Sequence, residues 1–120
     1  MKERPDFGEH YLIDLHDCDP KLIELVDPTR EIILRAAKEC GATILEDFFH
    51  QFEPFGVSGV VLIAESHFSV HTWPENRFVA ADIFTCGDMQ PQVAIDVMRK
   101  DFRAKEAMVK VVLRGQLERT

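Results

Sequence analysis

The cleanest alternation in the chain lies between His67 and Trp73. There His67, Ser69, His71 and Trp73 share one face of an extended segment, and Phe68, Val70 and Thr72 share the other. This pattern predicts a strand with one buried side. Before it, Val57 to Ala64 (VSGVVLIA) is an almost unbroken apolar run, which predicts a strand covered on both faces or lying at a subunit contact. Pro74-Glu75-Asn76 marks a turn, and Arg77 to Thr85 (RFVAADIFT) runs back as the next strand. Upstream, Ala42 to Phe52 (ATILEDFFHQF) carries the β-branched and aromatic residues of a strand, closed by a turn at Glu53-Pro54-Phe55-Gly56. His10 to Asp14 predicts the first strand, punctuated by Asp17-Cys18-Asp19-Pro20, and Ala107 to Leu113 (AMVKVVL) the last.

Two stretches carry the helical period instead. Asp27-Pro28 predicts a helix start, with Asp27 as N-cap and proline at the first helical position. Ile32, Ile33, Ala36 and Ala37 then form one apolar stripe, and Gly41 after Cys40 is a stop signal. A second helix is expected from about Pro91 to Lys105, capped by Asp88, with Val93, Ala94, Val97 and Met98 turned inward. Lys21 to Val26 reads as a single helical turn. The order is β-α-β-β followed by β-β-α-β, which hints at an internal duplication. It predicts an α+β two-layer sandwich, an antiparallel sheet with both helices on one face. Nothing resembling a linker interrupts residues 1–120, so one domain is expected.

Composition narrows the function classes. Across 120 residues the net charge is −7, which argues against a nucleic-acid partner, since a phosphate backbone calls for a basic face. Cys18, Cys40 and Cys86 are odd in number and lack metal-ligand spacing, so neither a disulfide framework nor a zinc site is expected. Cys18 reads as a turn residue and Cys40 as a packing residue. The start, MKERPDFGEH, has no apolar core, and no apolar run approaches a membrane span. A cytoplasmic protein with no membrane partner is the expectation.

Nucleophile, base and acid concentrate between Gly56 and Asp88. If Trp73 pairs with Arg77 across a three-residue loop, Ser66 lies opposite Phe84. Cys86 then sits diagonally beside Ser66 on the same face, about 7–8 Å away. A four-residue loop would move Cys86 to the other face. His71 has the opposite parity to Ser66 and reaches it only along a bulged or bent strand. On spacing alone two readings stand side by side. One is a chemical centre pivoting on Ser66; the other has satisfied strand histidines, Cys86 in the core and Ser66 at an edge.

The segments ESHFSVHTWPE and DIFTCGD, with GVSGVV before them and DLHDCDP near the start, resemble the short prokaryotic S-adenosylmethionine decarboxylases. These are pyruvoyl enzymes of polyamine synthesis that supply aminopropyl groups for spermidine. The resemblance runs from about Gly8 to Asp88 and more weakly to Gly115. It implies that Ser66 attacks the Glu65 carbonyl and that β-elimination cuts the chain into 1–65 and 66–120. Ser66 then becomes a covalent pyruvoyl group, which forms a Schiff base with the amine of S-adenosylmethionine and acts as an electron sink. It implies further that His71 moves a proton during processing and that Cys86 reprotonates the substrate carbon after carbon dioxide leaves. Phe52 and Trp73 would offer aromatic faces to the sulfonium, with Ser58 and Glu75 as polar contacts. A homodimer of cleaved protomers sharing each site is also implied. Neither a metal nor putrescine is expected to be obligatory. The alternatives are the same fold and cofactor acting on arginine or ornithine, and an unprocessed, non-catalytic regulatory homologue.

Overall fold

A computed structural model describes residues 7–115. In chain order it contains β1 (Gly8–His16), α1 (Val26–Glu39), β2 (Ile44–Gln51), β3 (Val57–Ile63), β4 (Ser66–Trp73), β5 (Phe78–Thr85), α2 (Pro91–Asp101) and β6 (Glu106–Arg114). Short 3₁₀ turns at Pro20–Leu22 and Pro74–Asn76 complete the set. The six strands form one antiparallel sheet in the order β2-β3-β4-β5-β1-β6. The element order and the antiparallel sheet with its two helices agree with the expectation from sequence.

Both helices cover the same face of the sheet. Ile33, Ala36 and Ala37 of α1 and Ala94, Ile95 and Met98 of α2 pack with Ile13, Leu15, Phe68, Val70, Val79 and Ile83 into a continuous core. Alternation along β4 and β5 produces this directly, since every second side chain points to the helices. Buried Thr72 is the polar exception. Its hydroxyl donates to the Ile23 carbonyl at 2.8 Å and accepts from the Val57 N–H at 2.9 Å, so it is fully satisfied.

Several local expectations are corrected by tertiary contacts. Helix α1 begins at Val26 with Leu25 at the N-cap position and no side-chain cap, while Asp27 lies within the first turn. The orphan Val26 N–H is met instead by Gln51 Oε1 at 2.8 Å, reaching across from the end of β2. Likewise Gln90, not Asp88, precedes α2. That helix stops at Asp101 rather than near Lys105: Arg103 turns left-handed at φ 60, and the Lys105 N–H is taken by the His16 carbonyl beside the sheet. The 21–26 segment makes only the Pro20–Leu22 turn, capped by Asp19 Oδ1 on the Lys21 N–H at 3.0 Å. Strand β3 is covered on one face only; Val57, Val61 and Ile63 are buried, whereas Val60 and Leu62 are exposed. Among the described residues no helix is long and apolar enough to cross a membrane.

The β4–β5 connection is also longer than three residues. Trp73 pairs with Phe78, so the loop is the four residues Pro74 to Arg77, closed by Arg77 in the left-handed region at φ 53. This moves the whole hairpin by one register step, with consequences for the site.

Gly59 of β3 lies under the Phe49 ring of β2, where an added Cβ would meet ring atoms at 2.1–2.7 Å. Gly59→Ala is therefore expected to displace that ring and to lower stability by about 1–3 kcal/mol, as overpacking does. Urea denaturation of the variant beside the parent measures the loss.

Candidate active site

The tip of the β3–β4 hairpin is its most constrained point. Ile63 pairs with Ser66, which leaves Ala64-Glu65 as a two-residue turn. Glu65 closes that turn in the left-handed region at φ 65, a conformation costing a side-chain-bearing residue on the order of 1–3 kcal/mol. Ser66 follows at once as the first residue of β4, buried at 8% exposure on the helix side. Its Oγ donates to the Glu65 carbonyl oxygen at 2.6 Å.

Cys86 approaches the same carbonyl from just beyond β5. Its Sγ donates to the Glu65 oxygen at 2.7 Å, and its backbone N–H donates to Ser66 Oγ at 3.2 Å. One peptide carbonyl is thus polarised by two side-chain donors, while the adjacent hydroxyl oxygen is held in place by a backbone donor. Charge developing on that carbonyl oxygen would be met by groups already aimed at it. The other two cysteines are buried. Burial pushes the Cys18 thiol up to about 11, with a smaller push from the Asp17 charge, and burial also raises the Cys40 thiol. Cys86 is the exposed one.

This contact does not arise in the way expected. The four-residue loop sets His67, not Ser66, opposite Phe84. Ser66 therefore shares the helix-facing side with Thr85, and Cys86 has the opposite parity. The two meet because Cys86 lies past the last strand residue, Thr85, where pleating no longer dictates direction.

His71 does not join them. It lies on the helix-free face of β4, five positions from Ser66, which at a strand's rise is about 16 Å. The pairing of β4 with both neighbours is unbroken, so the bulge that would have brought His71 across is absent. Instead His71 Nδ1 sits 2.8 Å from Ser58 Oγ, its cross-strand partner on β3. Trp73 lies nearby with ring centroids 6.4 Å apart, and its own ring is tilted against Phe78 at 5.5 Å. Phe52 and Trp73 are both about half exposed. Glu75 lines a surface depression with Glu24 and the Glu53-Pro54-Phe55 turn that follows Phe52. The expected site residues thus fall into two groups at opposite ends of β4: Glu65, Ser66 and Cys86 at one, and Ser58, His71, Trp73, Phe52 and Glu75 at the other.

Between them, on the helix-free face, lies a network that the sequence reading did not single out. The Asp82 carboxylate accepts from Ser69 Oγ and from His10 Nε2, with His67 Nε2 at 3.7 Å. Arg114 donates to His10 Nδ1 at 3.2 Å, so the proton facing Asp82 is on Nε2. The available signal was a lone aspartate within the apolar run RFVAADIFT, at a parity shared with His67 and Ser69 once the register is known. Ligand atoms of His10, His67 and Asp82 lie within 4.8 Å of one another, but the guanidinium beside His10 opposes a cation there. Burial raises the Asp82 carboxyl; the Ser69 and His10 hydrogen bonds, with the His10 and His67 imidazoles beside it, outweigh it and hold the carboxyl below its ordinary 3.8.

A depressed folded-state value means that the contribution is present above the ordinary carboxylate range and is lost as the pH falls through the folded value. Asp82→Asn is therefore expected to cost about 1.5–3 kcal/mol at pH 7, the scale of hydrogen bonds to a charged group. The gap from the parent should narrow as the pH is lowered below 4. Urea denaturation of both proteins across that range checks the direction.

Comparison with known proteins identifies the family. The sequence pattern of the S-adenosylmethionine decarboxylase family matches residues 9–115. The S-adenosylmethionine decarboxylase proenzyme of Pyrococcus abyssi is 46% identical over 109 residues, 90% of this chain and 78% of that one. The proenzyme of the same name from Thermodesulfovibrio yellowstonii is 43% identical over 109 residues, covering 90% and 81%. The crystal structure of the adenosylmethionine decarboxylase from Aquifex aeolicus superimposes with a TM-score of 0.87 at 35% identity over 98% of both chains. With a family pattern spanning nearly all the described residues and relatives this similar, the chain belongs to the S-adenosylmethionine decarboxylase family.

Proposed function

We propose that this protein is a cytoplasmic decarboxylase that converts S-adenosylmethionine to its decarboxylated form and carbon dioxide, supplying aminopropyl groups for spermidine. It makes its own pyruvoyl group by cutting the chain between Glu65 and Ser66. The observation that carries this reading is the convergence of Ser66 Oγ and Cys86 Sγ on the Glu65 carbonyl, at 2.6 and 2.7 Å, in a left-handed turn. The donor set fits the group: its precursor must be a serine whose hydroxyl lies against its own preceding carbonyl, and Ser66 does.

In the processing step Ser66 Oγ adds to the Glu65 carbonyl carbon, and the peptide C–N bond breaks to leave an ester. Removal of the Ser66 Cα proton breaks the Cβ–Oγ bond and releases Glu65 as a carboxylate, so both oxygens stay on the first fragment. Addition of water and loss of ammonia complete residue 66. Cys86 Sγ, donating into this centre, can give a proton to the carbon that loses carbon dioxide. His71, with Nδ1 engaged by Ser58, has Nε2 free for the proton removed from Cα. Once formed, the pyruvoyl group supplies a carbonyl that takes the substrate's amine and draws electrons from the bond being broken. Phe52 and Trp73 present aromatic faces to the sulfonium, and Ser58 and Glu75 its polar contacts.

His71 lies too far from Ser66 to serve it within one chain, so the site is assembled between two copies. The helix-free face supports this. Leu12, Phe48, Val60, Leu62 and Trp73 all stand exposed on it, apolar side chains that a second copy would cover. The partner of each protomer brings the Ser58–His71–Trp73 group to the other's Ser66 and Cys86.

Intact mass after expression is expected to show two fragments divided at Glu65-Ser66, the second blocked at its start. Ser66→Ala should give one uncut chain; normal cleavage of that variant sinks the proposal. Cys86→Ala should still cut and lose about 10²–10⁴-fold in carbon dioxide release, the usual worth of a positioned proton donor.

Sharing of the site has its own test. His71→Ala alone should remain uncut, whereas co-expression with Ser66→Ala should restore cleavage of the His71→Ala chain in mixed dimers. Failure to restore it, with mixed dimers present, rules out the shared arrangement.

A further inference from the structure

We infer that the carboxylate left on Glu65 by self-cleavage stays in the site as a working group, clamped by Cys86 and holding the proton on its thiol. This rests on the processing described above. When the Cβ–Oγ bond of Ser66 breaks, Oγ leaves with the Glu65 acyl carbon. The two oxygens of the new carboxylate are therefore the present Glu65 carbonyl oxygen and the present Ser66 Oγ, already 2.6 Å apart. Cys86 addresses both, with Sγ–H on the first at 2.7 Å and its backbone N–H on the second at 3.2 Å. One residue thus offers two donors, spaced for the two oxygens of a single carboxylate.

Cleavage changes the charge of the acceptor without requiring either donor to move. A neutral peptide carbonyl becomes an anion, and an anion at hydrogen-bond distance opposes loss of the thiol proton. The groove alongside is formed by the α1–β2 connection at residues 41–43, the hairpin turn and the chain following β5, and its charged residues are Glu65 and Asp88. Both are acidic and both are present before and after cleavage. Among the described residues of one protomer no cation lines this groove; in the shared site His71 of the partner subunit is the group able to draw the proton away, and the His71→Ala precursor removes it. Self-processing would then do two things at once. It creates the electrophile at residue 66, and it turns Cys86 from a donor toward a peptide into a thiol that stays protonated and ready for the substrate carbon.

The test compares alkylation of Cys86 by iodoacetamide in processed enzyme and in two uncut precursors, Ser66→Ala and His71→Ala, from pH 6 to 10. Cys18 and Cys40 are buried, and peptide mass identifies the labelled residue. At pH 8 the processed enzyme is expected to react at least tenfold more slowly than either precursor, with the rates converging toward pH 10. Equal rates throughout overturn the inference. So does a gap that persists at pH 10, which reports shielding and not charge. Trimming Glu65 from the processed enzyme with a carboxypeptidase provides a second arm and should speed alkylation at pH 8; an unchanged rate there also counts against it. Intact mass separates the two levels. Absence of a fragment pair defeats the processing itself, whereas a fragment pair with unaltered alkylation defeats this inference alone.

Discussion

The two-residue turn at Ala64-Glu65 sets the register of β3 against β4 and thereby decides on which face every side chain of β4 emerges. With Ile63 paired to Ser66, Phe68, Val70 and Thr72 must face the helices, and His67, Ser69, His71 and Trp73 must face away. That parity puts Ser66 on the core side, at the end of β4, and His71 on the open side. The turn is tight enough to force Glu65 into the left-handed region, and the strain falls on the residue whose carbonyl accepts from both Ser66 and Cys86. Because β4 pairs without a bulge to both neighbours from His67 to His71, it also acts as a rigid spacer. Ser66 and His71 are thereby held about 16 Å apart on opposite faces, the separation on which the proposed sharing of the site between two copies rests.

The strand-and-helix layout was legible in the sequence wherever one face is buried and the other is not. The His67–Trp73 alternation and the Ile32, Ile33, Ala36, Ala37 stripe led directly to β4 and α1. Where local signals met distant partners they misled. Asp27 looked like a cap, but Gln51 from β2 takes the Val26 N–H. The run VSGVVLIA suggested a strand covered on both faces or lying at a subunit contact; within one chain its Val60 and Leu62 side faces outward. Loop length was the costliest ambiguity. A proline turn with Arg77 left-handed absorbs one more residue than a three-residue loop, and that single residue reversed the predicted relation of Ser66 to Phe84 and of Cys86 to the strand. The candidate site residues came from motif resemblance, but their division into two distant groups belongs to three-dimensional register alone.

The Asp82 network occupies the middle of the helix-free face, between those two groups. It joins β1, β4 and β5 through His10, Ser69, His67 and Asp82. On a face otherwise rich in apolar side chains, a satisfied polar cluster favours one alignment over the many that greasy contact alone would allow. It therefore bears on how the strands keep their order and on how any surface laid over them is oriented.

The strand order has a further consequence for a chain cut at the hairpin tip. Strands β1, β2 and β3 belong to the first fragment and β4, β5 and β6 to the second. They are not segregated in the sheet: β1 lies between β5 and β6 and is hydrogen-bonded to both, while β3 runs along β4. The pieces are interleaved like fingers of two clasped hands. Separating them means extracting a central strand from between two neighbours, which is as demanding as unfolding the domain. A cleaved protomer would thus behave in solution as one body, indifferent to dilution, with its broken backbone betrayed only under denaturing conditions.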